Sequence, residues 1–528
     1  MNHMSETALN STSTIDHTLF APTSATVRYA PGNTVLLIGP SELLLKHLEA
    51  YRVAGLRPAL LCTDLPDASC LPRGLRALPG RLAGLSGWMG AFTAHMATLQ
   101  QPMSLAPLSF NEDGHFDWVL DFSSPSSVRL AVPPLGYYAL SPDDFPALKR
   151  VLLEIAGRVR SGYEKPRYFE LDANRCAHRR QSVEGCSACL SVCAAGAISS
   201  AKDSVRIEPN LCQGCGSCAL VCPSGAVRYT QPKAGFSLTR LQAMLAAWKA
   251  TGSWPVGLWI FDETTESEPP QGWLPYPVAE MAGLGLEFWL AALAMGLDEV
   301  AIVARKLPDE TRVALQAQIT LAQALLAGMG LRQIISWGED IKTGLDHQKP
   351  LESARPCAEL PVTDDKRQLL FAAIDALLGL VETPPLSIPL PAGPLGEIRI
   401  DPALCTLCTA CVQICPAAAL SLPDNPTQLT FTEARCVQCG ICANACPEQA
   451  ITLMPRLLAS RSARQAPRVV AEAEMFACCG CGKPFATKSQ IERSRALMAG
   501  HPMFQGNQAR LMELCPECRQ RAMAGVGI

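Results

Sequence analysis

Cysteine is missing from the whole stretch between Cys222 and Cys357, although the 528-residue chain carries 24 of them. That gap excludes a thiolate-held metal site from the middle of the chain. Lys/Arg-rich runs are also missing and the formal charge is −3, a balance that argues against nucleic-acid binding. The first strand-to-helix turn, Gly39-Pro40-Ser41-Glu42, has neither GxGxxG nor GxxxxGK[ST], so it lacks the backbone approach that pyrophosphate requires. The N-terminus, MNHMSETALNSTSTIDHTLF, has no basic start followed by an apolar core, so no signal peptide is expected. The most apolar run, 281–297, is shorter than a bilayer and carries Glu287, which reads as a buried helix and leaves no membrane span. Charged residues make up only 18% and hydrophobic ones 48%, the balance of a packed protein. Only the polar residues 1–25 are expected to be disordered. Length implies about three to five domains.

What is present is cysteine in CxxC clusters, which in a large chain points to metal in a reducing compartment, and hence to a cytoplasmic location. Residues 405–447 contain CTLCTACVQICP and then CVQCGICANACP. That is CxxCxxCxxxCP twice, the ligand spacing of two [4Fe–4S] clusters in which the fourth cysteine of each run crosses to the other cluster. One set is therefore Cys405, Cys408, Cys411 and Cys446, and its neighbour is Cys436, Cys439, Cys442 and Cys415. An altered copy lies upstream. Its second run is regular, with Cys212, Cys215, Cys218 and Cys222, but in its first run nine residues separate Cys176 from Cys186, and Ala194 replaces the proline after Cys193. The sets there are Cys176, Cys186, Cys189 and Cys222, and Cys212, Cys215, Cys218 and Cys193. The long loop carries His178, Arg179 and Arg180. Cations near a cluster favour its reduced form, so this loop is expected either to raise the potential of one end or to be solvated.

The tail differs. CCGCGKPF and LCPECR supply two CxxC pairs, Cys478/Cys481 and Cys515/Cys518, the four thiolates that tetrahedral Zn²⁺ takes. A fifth cluster using Cys479 is the alternative. Cys62, Cys70 and Cys357 read as ordinary thiols.

The expected fold is α/β plus α+β. Two Rossmann-like or flavodoxin-like α/β domains (26–165 and 233–380) alternate with two bacterial two-cluster ferredoxin-like domains (166–232 and 397–458). A Pro-rich linker (381–396) precedes the second ferredoxin unit, and a zinc-ribbon-like module (459–528) ends the chain. Apolar runs give strands at 33–39, 57–63, 116–123, 253–262, 298–304 and 333–337. Helices are expected at 41–55 (capped by Ser41), 143–160, 281–296 and 310–330. Short strands should follow each ligand run, at 194–200, 224–229, 417–422 and 448–453. The α/β domains are expected to hold the ferredoxin units apart and to dock partners.

Residues 170–230 and 398–455 resemble bacterial two-cluster ferredoxins. The whole-chain pattern, through PPLGYYAL (133–140), EKPRYF (164–169) and the 176–229 run, resembles proteobacterial multi-cluster [4Fe–4S] proteins (polyferredoxins) often encoded beside formate dehydrogenases. The 253–337 region distantly resembles the small iron–sulfur subunit of methyl-viologen-reducing hydrogenases, whose [2Fe–2S] cysteines are missing here. These resemblances imply an electron-transfer protein with four [4Fe–4S] clusters and redox partners such as formate dehydrogenase, and no small-molecule substrate, rather than a stand-alone enzyme. A flavin- or nucleotide-binding oxidoreductase subunit and an iron–sulfur maturation or sensor module are the alternatives.

Overall fold

The computed structural model describes residues 25–524, apart from 67–68, 70, 264–267, 333, 340, 342–356, 426 and 503–505; Cys70 and the expected disordered 1–24 lie outside the described residues. Thr34–Gly39 is buried at every position, as expected for a continuous apolar run with both faces covered. It is the centre of a five-stranded parallel sheet in the spatial order Arg76–Pro79, Arg57–Cys62, Thr34–Gly39, Trp118–Asp121, Tyr137–Ala139. Helix Phe145–Ser161 packs on one face; its first turn is capped by Asp144, which accepts from the Ala147 amide at 2.9 Å, and Gly162 ends it with φ +68°.

Two details differ from expectation. The helix at 41–55 is two short helices, Ser41–Lys46 and Leu48–Val53, interrupted at His47. Pro40, not Ser41, occupies the N-cap position, because the Ser41 amide and hydroxyl both bond to the Asp64 carboxylate (2.8 and 3.0 Å).

The second parallel sheet runs Trp273–Val278, Gly257–Asp262, Glu299–Val303, Ile334–Gly338. Its edge strand Trp273–Val278 contains Pro275 and Pro277, which hide it from a propensity reading; an edge position tolerates their missing N–H groups. Helix Leu286–Ala294 buries eight of its nine residues, which accounts for its uniformly apolar sequence. No described helix is long and apolar enough to cross a membrane.

The two cysteine-rich units share one design. In the first, Phe169–Leu171 pairs with Val227–Tyr229, and Ile198–Ser200 with Val205–Ile207. In the second, Gly396–Ile400 pairs with Ile451–Leu458, and Leu420–Ser421 with Gln428–Phe431. The proline-rich stretch read as a linker is part of the fold: Ser387–Pro389 adds to Ile451–Leu458 and buries Ile388 between its prolines. The two units also abut, contrary to the expectation that the α/β domains separate them.

Candidate functional site

Each ligand loop bends round a common point. The residues just before and just after the second cysteine are left-handed in three loops: Leu407 and Thr409 (φ 54° and 64°), Gln438 and Gly440 (53° and 79°), Gly214 and Gly216 (90° and 81°). Alternation of this kind turns successive amides inward, a concavity suited to an anionic group. After the fourth cysteine all four runs make the same turn, left-handed at Gly196, Gly225, Ala418 and Gln449. The next amides return to sulfur: Ala197 to Cys193 Sγ at 3.2 Å, Ala419 to Cys415 and Ala450 to Cys446 at 3.3 Å. Ala194 therefore makes the same turn as the prolines elsewhere, and its replacement does not set the first unit apart.

The thiols group as the spacing implies. Cys193, Cys212, Cys215 and Cys218 line one cavity, and Cys405, Cys408, Cys411 and Cys446 line another. Burial and then its neighbours Cys222, Cys186 and Cys176 push the Cys189 thiol up to about 12. Burial also pushes the Cys442 thiol upward, followed by its neighbours Cys436, Cys439 and Cys415. Thiolate donors in all four sets, inward amides in three loops and a shared cavity at two sets fit [4Fe–4S] clusters. These pKa values also mean that loading must expel thiol protons.

The four sets form a row. Cys189 lies near Cys218 of the first outer set, and Cys411 near Cys442 of the second inner set. The inner sets meet across the domain boundary: Cys186, Cys222 and Cys439 line one groove with Val437 and Gln438, and the Cys439 thiol feels Cys186. The nine-residue loop between Cys176 and Cys186 builds this contact. It folds as a hairpin, Arg179–Arg180 against Val183–Glu184, and Asn444 Nδ2 donates to the Glu184 carbonyl at 2.8 Å. His178 is buried within it, with Nδ1 and Nε2 each 2.8 Å from the Cys186 carbonyl and Ser200 Oγ. Arg179 pairs with Glu184 at 3.7 Å and Arg180 donates to the Asn174 carbonyl, so the arms of the loop are braced while its tip, Gln181 and Ser182, is exposed to solvent.

Sequence reasoning missed the cations that do reach the ligand loops, because they lie far away in sequence. Buried Lys165 donates to the Asn210 and Cys212 carbonyls at 3.0 and 2.6 Å. Lys366 donates to Ala219 and Leu220 at 2.8 and 2.5 Å. Arg367 donates to Pro223 on one unit and to Ala434 and Cys436 on the other. Burial pulls Arg367 down to about 10, which leaves it cationic at neutral pH.

At the tail, the four Sγ atoms of Cys478, Cys481, Cys515 and Cys518 lie within 4.8 Å of one another, with Cys481 and Cys515 at 3.7 Å. A tetrahedron of about 2.3 Å Zn–S bonds has edges of about 3.8 Å, so the set fits zinc. Cys479 points away to Glu513 at 3.1 Å, leaving no fifth cluster ligand there. The module covers the second outer set: Thr487 Oγ1 and Gln490 Nε2 donate to the Thr406 and Leu407 carbonyls at 2.9 and 3.2 Å. Cys62 is buried and Cys357 exposed, both outside these sets. At the Gly39-Pro40 turn, Asp64 takes the Ser41 amide that a phosphate would need.

Residues 404–451 and 183–226 each match a family model described as a 4Fe-4S dicluster domain. No curated protein matches the chain. The second match begins after Cys176, yet Cys176 is buried beside Cys186 and Cys189. The chain thus carries two 4Fe-4S dicluster domains of ferredoxin type, and these with their cysteines support an iron–sulfur electron-transfer role.

Proposed function

We propose that the chain relays single electrons between redox proteins through four [4Fe–4S] clusters, one on each cysteine set, and carries one structural Zn²⁺ on Cys478, Cys481, Cys515 and Cys518. A bound cubane supplies reversible one-electron storage, at potentials spanning about −700 to +450 mV across the class. The chain's own part is to fix four ligand sets in a row and to keep water from them. The observation that carries the reading is the meeting of Cys186 and Cys439 across the boundary between the units. Two isolated ferredoxins would have no need of it. Of the sixteen ligands, Cys408 is the exposed one, so exchange with a partner is assigned to that end of the row.

The test is anaerobic purification with iron, sulfide and zinc analysis and EPR of the reduced protein. About sixteen iron and one zinc per chain are expected. About twelve iron would contradict the four-cluster reading, and Cys176→Ala should remove one cluster. Formate dehydrogenase, which the resemblance implies, is the first partner to add in an electron-transfer assay.

A further inference from the structure

Arg367 sits in the second residue of helix Lys366–Leu378, which belongs to the second α/β domain and to neither cysteine-rich unit. Its guanidinium bonds four backbone carbonyls. One terminal nitrogen donates to Pro223 at 3.2 Å and Pro394 at 3.0 Å; the other donates to Ala434 and Cys436, both at 3.0 Å. Pro223 follows Cys222, a ligand of one inner set, and Cys436 is itself a ligand of the other. The side chain also lines the groove that contains Cys186, Cys222 and Cys439.

Its charge balance is unusual. Among the described residues no carboxylate forms a salt bridge with Arg367. The nearby Asp365 is committed to Arg175 at 2.9 Å and to capping the helix through the Arg367 and Gln368 amides. A half-buried cation whose terminal N–H groups all go to carbonyls, with its guanidinium 5.1 Å from the Phe371 ring centroid, is costly unless a negative charge stands close by. The groups on either side that become negative when loaded are the two inner cysteine sets.

We propose that Arg367 is a shared positioning residue for the inner sets, its single charge serving both clusters at once and its fork of N–H groups fixing the two units against each other. The inference rests on the four-set reading above. In the loaded protein the cation stabilises the more reduced, more negative form on both sides, so the two inner potentials rise together relative to a neutral residue at 367. Arg367 would thus keep the crossing between units from being the uphill step of the row. Lys366 supports the same junction through the Ala219 and Leu220 carbonyls, on the helix that carries Cys218.

The experiment compares the full-length chain with Arg367→Met and Arg367→Lys, each loaded anaerobically, by iron content and EPR-monitored redox titration. Arg367→Met should shift the reduction equilibrium of two clusters, and only two, by about tenfold or more toward oxidised, that is about 59 mV downward per tenfold. Arg367→Lys should restore most of that shift while weakening the magnetic interaction between units, because a lysine cannot bond both units with a planar fork. If Arg367→Met loses iron from the inner sets while Arg367→Lys retains it, the need for charge is still demonstrated. Unchanged potentials in Arg367→Met, a shift confined to one cluster or to the outer ones, or loss of iron from both variants would overturn the proposal. A wild-type chain holding fewer than four clusters would instead contradict the four-set reading, and would do so before any variant is compared.

Discussion

Asn444 donates from Nδ2 to the backbone carbonyl of Glu184 across 2.8 Å, joining positions 260 residues apart in sequence. The bond ties the hairpin inserted between Cys176 and Cys186 to the short helix Ile441–Asn444 that carries Cys442. An insertion that disturbs the ligand spacing of one unit is thus the piece that attaches it to the other.

Gly185, at the end of that hairpin, has no room for a side chain. An added Cβ would stand 2.5 Å from the Ala177 carbonyl oxygen and 3.0 Å from Ile441 Cβ. Gly185→Val should therefore force the units apart, at a cost of about 1–3 kcal/mol. Iron content should hold while the EPR interaction between units weakens; an unaltered interaction would show that the hairpin does not set the junction.

The cysteine runs were legible in the sequence because their order is local: three cysteines within seven residues can bend round one point. Even beside the stretched loop, Cys186, Cys189 and Cys193 keep their spacing. What the sequence hid was non-local. Arg367 reaches Pro223 and Cys436 from a helix 144 and 69 residues away, and nothing in its neighbours marks it. The strand Trp273–Val278 escaped because its prolines mimic a loop, and Ser387–Pro389 because proline-rich composition reads as a linker. His178, Arg179 and Arg180 suggested a tuning loop by charge alone, whereas their partners make them a brace.

Zinc removal should be separable from iron. Cys515→Ser is expected to lose one zinc per chain and leave iron unchanged, whereas Cys479→Ala should alter neither, since its thiol faces Glu513. Metal analysis of the two variants decides this, and loss of iron from Cys479→Ala would revive a cluster at the tail.

Thr487 is buried, caps helix Lys488–Met498 through the Gln490 amide at 3.2 Å, and holds the Thr406 carbonyl beside Cys405. Thr487→Val should cost about 1–2 kcal/mol. It should also loosen the cover over the Cys405–Cys411 loop, so that exposure to air bleaches one cluster faster than the other three. Uniform bleaching would contradict the covering role.

Glu280 is pushed up to about 7, first by burial and then by Asp262. It lines a cleft together with Arg240, Glu263, Tyr229 and Tyr276. A carboxyl with a raised folded pKa holds more protons folded than unfolded between its ordinary value near 4.5 and about 7, so stability falls across that window as pH rises. Glu280→Gln should accordingly raise the unfolding temperature at pH 8 and change it little at pH 4.5. Equal effects at both pH values would contradict the assignment.

The central claim is that the inner sets, Cys176/Cys186/Cys189/Cys222 and Cys415/Cys436/Cys439/Cys442, are neighbours in one continuous row. Combining Cys212→Ala, Cys215→Ala, Cys405→Ala and Cys408→Ala removes both outer sets and leaves the inner pair alone. EPR of this reduced variant tests the claim directly. The account predicts about eight iron per chain and a spectrum split by magnetic interaction between the two remaining clusters; a simple sum of two isolated cluster signals would contradict it.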